Sequence, residues 1–193
     1  MEEKIAALER VKNDLLALTG SPLAVYRREN NYFPVMGEGS HDAKIMFIGE
    51  APGRNESKVG RPFVGAAGKV LEKLLYSIGA KREDVYITNI VKDRPPENRD
   101  PTTEEIALYA PFLDREIATI KPRVVATLGR FSMQYVMERY GLESEILPIG
   151  ALHGQILQAA TFKLVPLYHP AAAIYNRKLI ETLEKDFQVL KTI

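Results

Sequence analysis

Three short apolar runs constrain this chain more than any other feature. Lys44-Ile-Met-Phe-Ile48 stops at Gly49, Val85-Tyr-Ile-Thr-Asn-Ile-Val91 carries Thr88 and Asn89 towards its end, and Val124-Val-Ala-Thr-Leu128 stops at Gly129. A strand that is apolar at successive rather than alternate positions is covered on both faces. Between these runs the apolar spacing changes to three and four. Residues 66–78 (Val70, Leu71, Leu74, Leu75, Ile78) read as a helix stopped by Gly79, and further helices are predicted over 102–120 and from Gly129 to about Tyr140. Thr102-x-x-Glu105 is a capping box at the start of the first of these, and Pro111 inside it is expected to kink or split it. Residues 3–18 read as an amphipathic helix, 19–43 mostly as loop, 154–158 and 162–168 as the last strands, and 177–191 as the closing helix. Strands alternating with helices predict an α/β fold with a parallel sheet between helical layers.

The 193 residues suit one domain spanning 1–193. Cysteine is absent, which excludes disulfides, a catalytic thiol and any site of Cys ligands. The acidic start, Met1-Glu-Glu-Lys, lacks the apolar core of a signal peptide, and no apolar run reaches the length of a membrane helix. A soluble, cytoplasmic monomer with no membrane partner is the expectation. Net charge is +1, but residues 54–99 hold ten basic against six acidic side chains. That stretch is either a solvated face or a surface turned towards phosphates.

The unusual segments 49–65, 89–101 and 169–175 all follow strands, where ligands of open α/β sheets bind. Gly49-Glu-Ala-Pro-Gly53 alone reads as a tight turn, and it lacks the Lys-Ser/Thr of a phosphate loop. Phe63, within Gly60-Arg-Pro-Phe-Val-Gly65, is either a core plug or a platform for a planar ligand. Asn89 is either a structural bracket or a donor–acceptor pair for a base edge. His169, stiffened by Pro170, stands at a strand end, whereas His41 and His153 carry no motif. Lys92-Asp-Arg-Pro-Pro-Glu-Asn-Arg99 couples cations to a proline-held extended path that suits phosphates.

Together these segments, with Gly60-Arg-Pro-Phe-Val-Gly-x-Ala-Gly68, Tyr86-Ile-Thr-Asn-Ile-Val-Lys92, Arg94-Pro-Pro-x-Asn-Arg-x-Pro101 and His169-Pro-Ala-Ala172, make the chain resemble the family 4 uracil-DNA glycosylases over roughly residues 15–190. The resemblance implies a three-layer α/β/α sandwich with a short, mostly parallel central sheet. It implies hydrolysis of the N-glycosidic bond of uracil in DNA after base flipping, with uracil-containing DNA as the partner. On that reading Phe63 stacks on the flipped ring, Asn89 reads the uracil edge, and His169 donates to O2 of the leaving base. Where better-known relatives carry a water-activating Asp, this chain has Ala51. Glu50 then becomes the choice for uracil or water contact, and Glu56 for the pocket wall against a 5-methyl group. Lys92, Arg94 and Arg99 are assigned to phosphates, and Ile174 or Tyr175 to the wedge that replaces the flipped base.

The departure from the family lies in four cysteines that hold a [4Fe-4S] cluster. Their places are taken by Leu18, Ser21, Asp93 and Tyr109. The expectation is therefore no cofactor, with packing between Leu18 and Tyr109 and an Asp93–Arg pair joining the same segments. The rival readings are a glycosylase for another deaminated base, such as hypoxanthine or xanthine, and a non-catalytic DNA-binding relative. A covalently trapping branch is discounted because residues 54–60 contain no His.

Overall fold

The computed structural model describes residues 2–176 and 178–192. Helix α1 (Glu2–Leu16) turns Leu8, Val11 and Leu15 inward. Residues 19–43, read as loop, contain a second helix, α2 (Pro22–Glu29), and a two-residue strand, β1 (Glu38–Gly39). Composition hid α2 because its start is a Ser-Pro pair. The Ser21 hydroxyl accepts the Leu23 N–H as a cap, and Pro22 occupies the first turn, where no helical donor is needed.

Strand β2 (Ile45–Gly49) is followed by α3 (Arg54–Val59), a short helix inside the unusual segment 49–65 for which the sequence gives no helical signal, and by α4 (Ala66–Ser77). Strand β3 (Tyr86–Asn89) is shorter than the apolar run that predicts it. The Ile90 and Val91 N–H groups instead bond the carbonyls of Gly49, the last residue of β2, and Glu50, just beyond it. Helix α5 (Thr103–Ile120) opens on the Thr102–Glu105 capping box and is one continuous helix through Pro111. The expected break does not occur because Pro111 and Ala107, whose carbonyl the proline would leave unbonded, both lie on the exposed face, open to solvent. Then come β4 (Val124–Leu128), α6 (Arg130–Arg139), α7 (Ile149–Leu152), β5 (Leu157–Gln158), β6 (Lys163–Leu167), α8 (Ala172–Tyr175) and α9 (Lys178–Gln188).

The strand order is β1-β3-β2-β4-β6-β5. The four inner strands are parallel, and the two-residue edge strands run antiparallel to them. On one face Leu71, Leu74 and Leu75 of α4 and Leu183 and Phe187 of α9 pack on Phe47, Ile87, Ala126 and Val165. On the other, Leu113 and Ile117 of α5 and Met133, Val136 and Met137 of α6 pack on Met46, Ile48, Tyr86 and Val125. The result is a three-layer α/β/α sandwich. The helix after β2 covers one face and the helix after β4 the other, so the strand order reverses between these neighbours. A crevice forms at such a reversal, beyond the carboxyl ends of the strands. A smaller third core joins α1, α2, α5 and the chain after β3 through Val11, Leu15, Leu23, Val91, Tyr109 and Phe112.

Candidate active site

A cleft of about 450 Å3 lies at that crevice. Glu50 and Ala51 reach it from the end of β2, Asn89 from the end of β3, and His169 from the end of β6. Gly49, the last residue of β2, lies against two of its lining side chains, Asn89 and Phe63. A Cβ there would stand 2.3 Å from Asn89 Oδ1 and 2.8 Å from Phe63 Cζ, so only glycine lets the amide and the ring approach. Phe63 holds the left-handed backbone conformation at φ 53°, unusual for a bulky side chain. The surroundings enforce it: Arg82 donates to the Phe63 and Pro62 carbonyls, and Gly68 leaves room for the Phe63 carbonyl. Strain held in place this way concentrates at ligand sites.

Asn89 is 2% exposed, and among the described residues its side-chain amide makes no hydrogen bond. A buried amide left open towards a cleft is a pair of directed contacts awaiting a ligand. The His169 ring lies 5.6 Å from that of Phe63, tilted by 28°. Its Nδ1 accepts the Ala171 N–H at 3.1 Å, so the neutral ring carries its proton on Nε2. Burial lowers its pKa to about 4, and the carboxylate of Glu56 pulls only weakly the other way. At neutral pH His169 is therefore a neutral donor.

Glu50 has the opposite perturbation. Desolvation, and after it the charge of Asp100, raises its pKa to about 7, with Arg130 opposing. Asp100 and Arg130 are themselves paired at 2.7 Å. Glu56 also lines the cleft, but its Oε1 takes the N–H groups of Val64 and Gly65 at 2.9 and 2.7 Å. It stitches α3 to the Phe63 loop and lines the cleft wall.

The basic residues assigned to phosphates are placed differently from that expectation. Lys92 is fully buried and paired with Glu116. Arg94 is buried, and its guanidinium donates to Asn98 Oδ1 and Tyr32 Oη at 2.7 and 3.0 Å. Arg99 is partly exposed but forks onto the Glu105 carboxylate. A count of charges along the chain registers neither burial nor pairing. Ile174 and Tyr175 do stand out on α8, with Tyr175 90% exposed and lining the cleft. Three polar lining residues have no role in the sequence reading: Arg54 and Asn55 in the first turn of α3, and Asn98, which Arg94 orients. Asn98 lies inside Arg94-Pro-Pro-x-Asn-Arg99, and Arg54 directly follows Gly53.

The sequence from residue 36 to residue 191 matches the model of the uracil DNA glycosylase superfamily. The chain belongs to that superfamily. It is 44% identical over 168 residues to a type-4 uracil-DNA glycosylase of Archaeoglobus fulgidus, covering 85% of this chain and 82% of that one. With the type-4 uracil-DNA glycosylase of Sulfurisphaera tokodaii it shares 43% over 190 residues, 97% of this chain and 84% of the other. With that of Saccharolobus solfataricus it shares 47% over 162 residues, 81% and 74% of the two chains.

In this member of the superfamily the four positions of the family's cluster meet in the third core, and their donor set does not suit a cluster. Ser21, Asp93 and Tyr109 are buried, and Leu18 packs against the same core half-buried. The Tyr109 hydroxyl donates to Asp93 Oδ2 at 2.6 Å and lies 3.0 Å from Ser21 Oγ, while Arg27 holds both oxygens of Asp93 at 3.0 and 3.1 Å. One carboxylate already engaged by a guanidinium, with a phenol, a hydroxyl and a leucine, offers no thiolate to iron. Among the described residues no group of His, Asp and Glu is arranged to hold a metal.

Proposed function

We propose that this chain is a DNA repair hydrolase that removes uracil by cleaving its N-glycosidic bond, acting as one domain without a metal or cluster. The convergence of Asn89, Glu50 and His169 on one cleft carries the reading. The base must first leave the stack. Phe63 bounds the flipped ring, and Asn89 offers one donor and one acceptor to its carbonyl and imide. Cytosine reverses that pattern and leaves the buried amide mispaired, which is a strong basis for rejection. As the glycosidic bond breaks, the sugar becomes oxocarbenium-like and negative charge gathers on uracil O2. The Nε2–H of His169 donates to that charge, and a neutral donor placed there loses no proton in doing so. Water adds to the sugar C1′ and gives its proton to Glu50, whose pKa of about 7 suits a base working at neutral pH. Arg54, exposed at the cleft and without an ion pair among the described residues, takes a phosphate. Tyr175 fills the gap left in the duplex.

The test is incubation of the protein with a uracil-containing oligonucleotide in a metal chelator, followed by alkaline cleavage of abasic sites. Strand breaks at uracil, undiminished by the chelator, are expected. An intact strand at every salt concentration, or breaks that favour inosine over uracil, would overturn the reading.

A further inference from the structure

Lys92 is buried completely, three residues from Asn89. Its ammonium has three N–H groups and meets three acceptors: Thr88 Oγ1 at 2.7 Å, the Asn89 backbone carbonyl at 2.7 Å and Glu116 Oε2 at 2.5 Å. No donor remains for a phosphate, and a charged ammonium has no lone pair for nucleophilic attack. Glu116, equally buried on α5, accepts the Thr88 hydroxyl at 2.8 Å on the same oxygen. On the other it accepts the Gly37 N–H at 2.9 Å and the Tyr86 hydroxyl at 3.3 Å. One ion pair thus fastens α5, β3 and the chain after β3 to a single point.

Alternation along β3 gives that point its meaning. Tyr86 and Thr88 face α5 and the ion pair, whereas Ile87 and Asn89 face the other way, with the Asn89 amide against Gly49 and Phe63. The Asn89 carbonyl lies past the two-residue pairing of β3 with β1, so the ladder on that side does not extend to it. Lys92 Nζ takes its place. A buried ion pair is weak evidence for stability, because well-packed apolar side chains often serve as well or better. Its location directly behind the residue that faces the base suggests another purpose.

We propose that the Lys92–Glu116 pair is a positioning device for Asn89, fixing the peptide plane from which the amide meets the base. The proposal rests on the uracil reading of the cleft. It makes Lys92 a specificity-supporting residue that touches neither DNA nor substrate.

The test compares the full chain with a variant carrying Lys92→Met and Glu116→Gln together, so that no buried charge is left alone. Three quantities are measured: single-turnover excision from a uracil oligonucleotide at saturating enzyme, inhibition by free uracil, and affinity for a tetrahydrofuran-containing oligonucleotide at two salt concentrations. Excision about tenfold to a hundredfold slower is expected, in line with a displacement of about 1 Å at a reacting group. Inhibition by uracil should weaken by a similar factor, while affinity for the abasic analogue and its salt dependence stay at the parent's values. A purely structural role would lower the melting temperature but leave the uracil constant of the folded protein unchanged. A folded double variant that matches the parent in rate and uracil inhibition would overturn the proposal. So would one that loses DNA affinity together with salt dependence, since that marks a phosphate contact. Should the double variant not fold, Thr88→Val removes one partner from each member of the pair without changing shape. Uracil inhibition weaker by about threefold or more is then expected, and no change refutes the proposal. A parent that releases no uracil overturns the functional reading itself, whereas an active parent with unaffected variants overturns only the positioning role.

Discussion

Replacing Glu50 by Gln should stabilise the protein while disabling it. The Glu50 carboxyl titrates at about 7 in the folded chain, against 4.5 for the free group, mainly because the cleft desolvates it. A raised carboxylate pKa means that folding opposes the charge. The penalty is absent below pH 4.5, grows as pH rises towards 7, and is complete above 7. A separation of roughly 2.5 units corresponds at most to about 3 kcal/mol. Glu50 is only half-buried, so solvent screening reduces this to about 1–2 kcal/mol. Glu50→Gln keeps the shape and removes the charge. Its advantage over the parent should therefore appear between pH 4.5 and 7 and level off above that. Urea denaturation followed by circular dichroism, run on both proteins across this range, reads the difference directly. Single-turnover excision by the parent should rise with pH through about 7 and flatten, and the Gln variant should lose that rise together with most of its rate. A stability difference that does not change with pH would refute the desolvation argument. A Gln variant with the parent's pH–rate profile would remove Glu50 from the chemistry.

His169→Ala should slow single-turnover excision by about two to three orders of magnitude, the effect of one lost donor at a developing anion, and His169→Gln should retain more of the rate. Arg27→Met leaves Asp93 buried without its cation and should cost about 3–5 kcal/mol in chemical denaturation, much of it recovered when Asp93→Asn is added. Arg54→Glu should weaken DNA binding and lower the slope of log affinity against log salt by about 1, whereas substitutions at Arg99 should leave that slope unchanged.

The grouping of residues at strand ends was legible in the sequence because position carries it. A parallel sheet presents the residues after each strand to one crevice, so Glu50, Asn89 and His169 could be placed together without coordinates. The apolar runs were legible for the same reason, since burial on both faces leaves no polar interruption. What could not be read depends on partners far apart along the chain. Asp93 meets Arg27 across 66 residues and Lys92 meets Glu116 across 24. Each cation of the 92–99 segment looks available for phosphate until its acceptor is in view. Short helices were lost to composition: α2 begins with Ser-Pro and α3 follows Pro-Gly, and both dipeptides ordinarily signal turns. Pro111 misled in the opposite direction, because a break depends on which face of the helix the ring occupies.

The joint formed by Ser21, Arg27, Asp93 and Tyr109 bears on where this chain can work. A hydroxyl, a guanidinium, a carboxylate and a phenol hold one another by hydrogen bonds and charge alone. None of these groups changes oxidation state under conditions that convert thiolates to sulfenic acids or disulfides. An oxygen burst or a shortage of iron would dismantle a metal–thiolate knot at this place, but it leaves the quartet as it was. The attachment of α2 and α5 to the segment that carries Asn98 into the cleft is thus uncoupled from the electron supply of the cell.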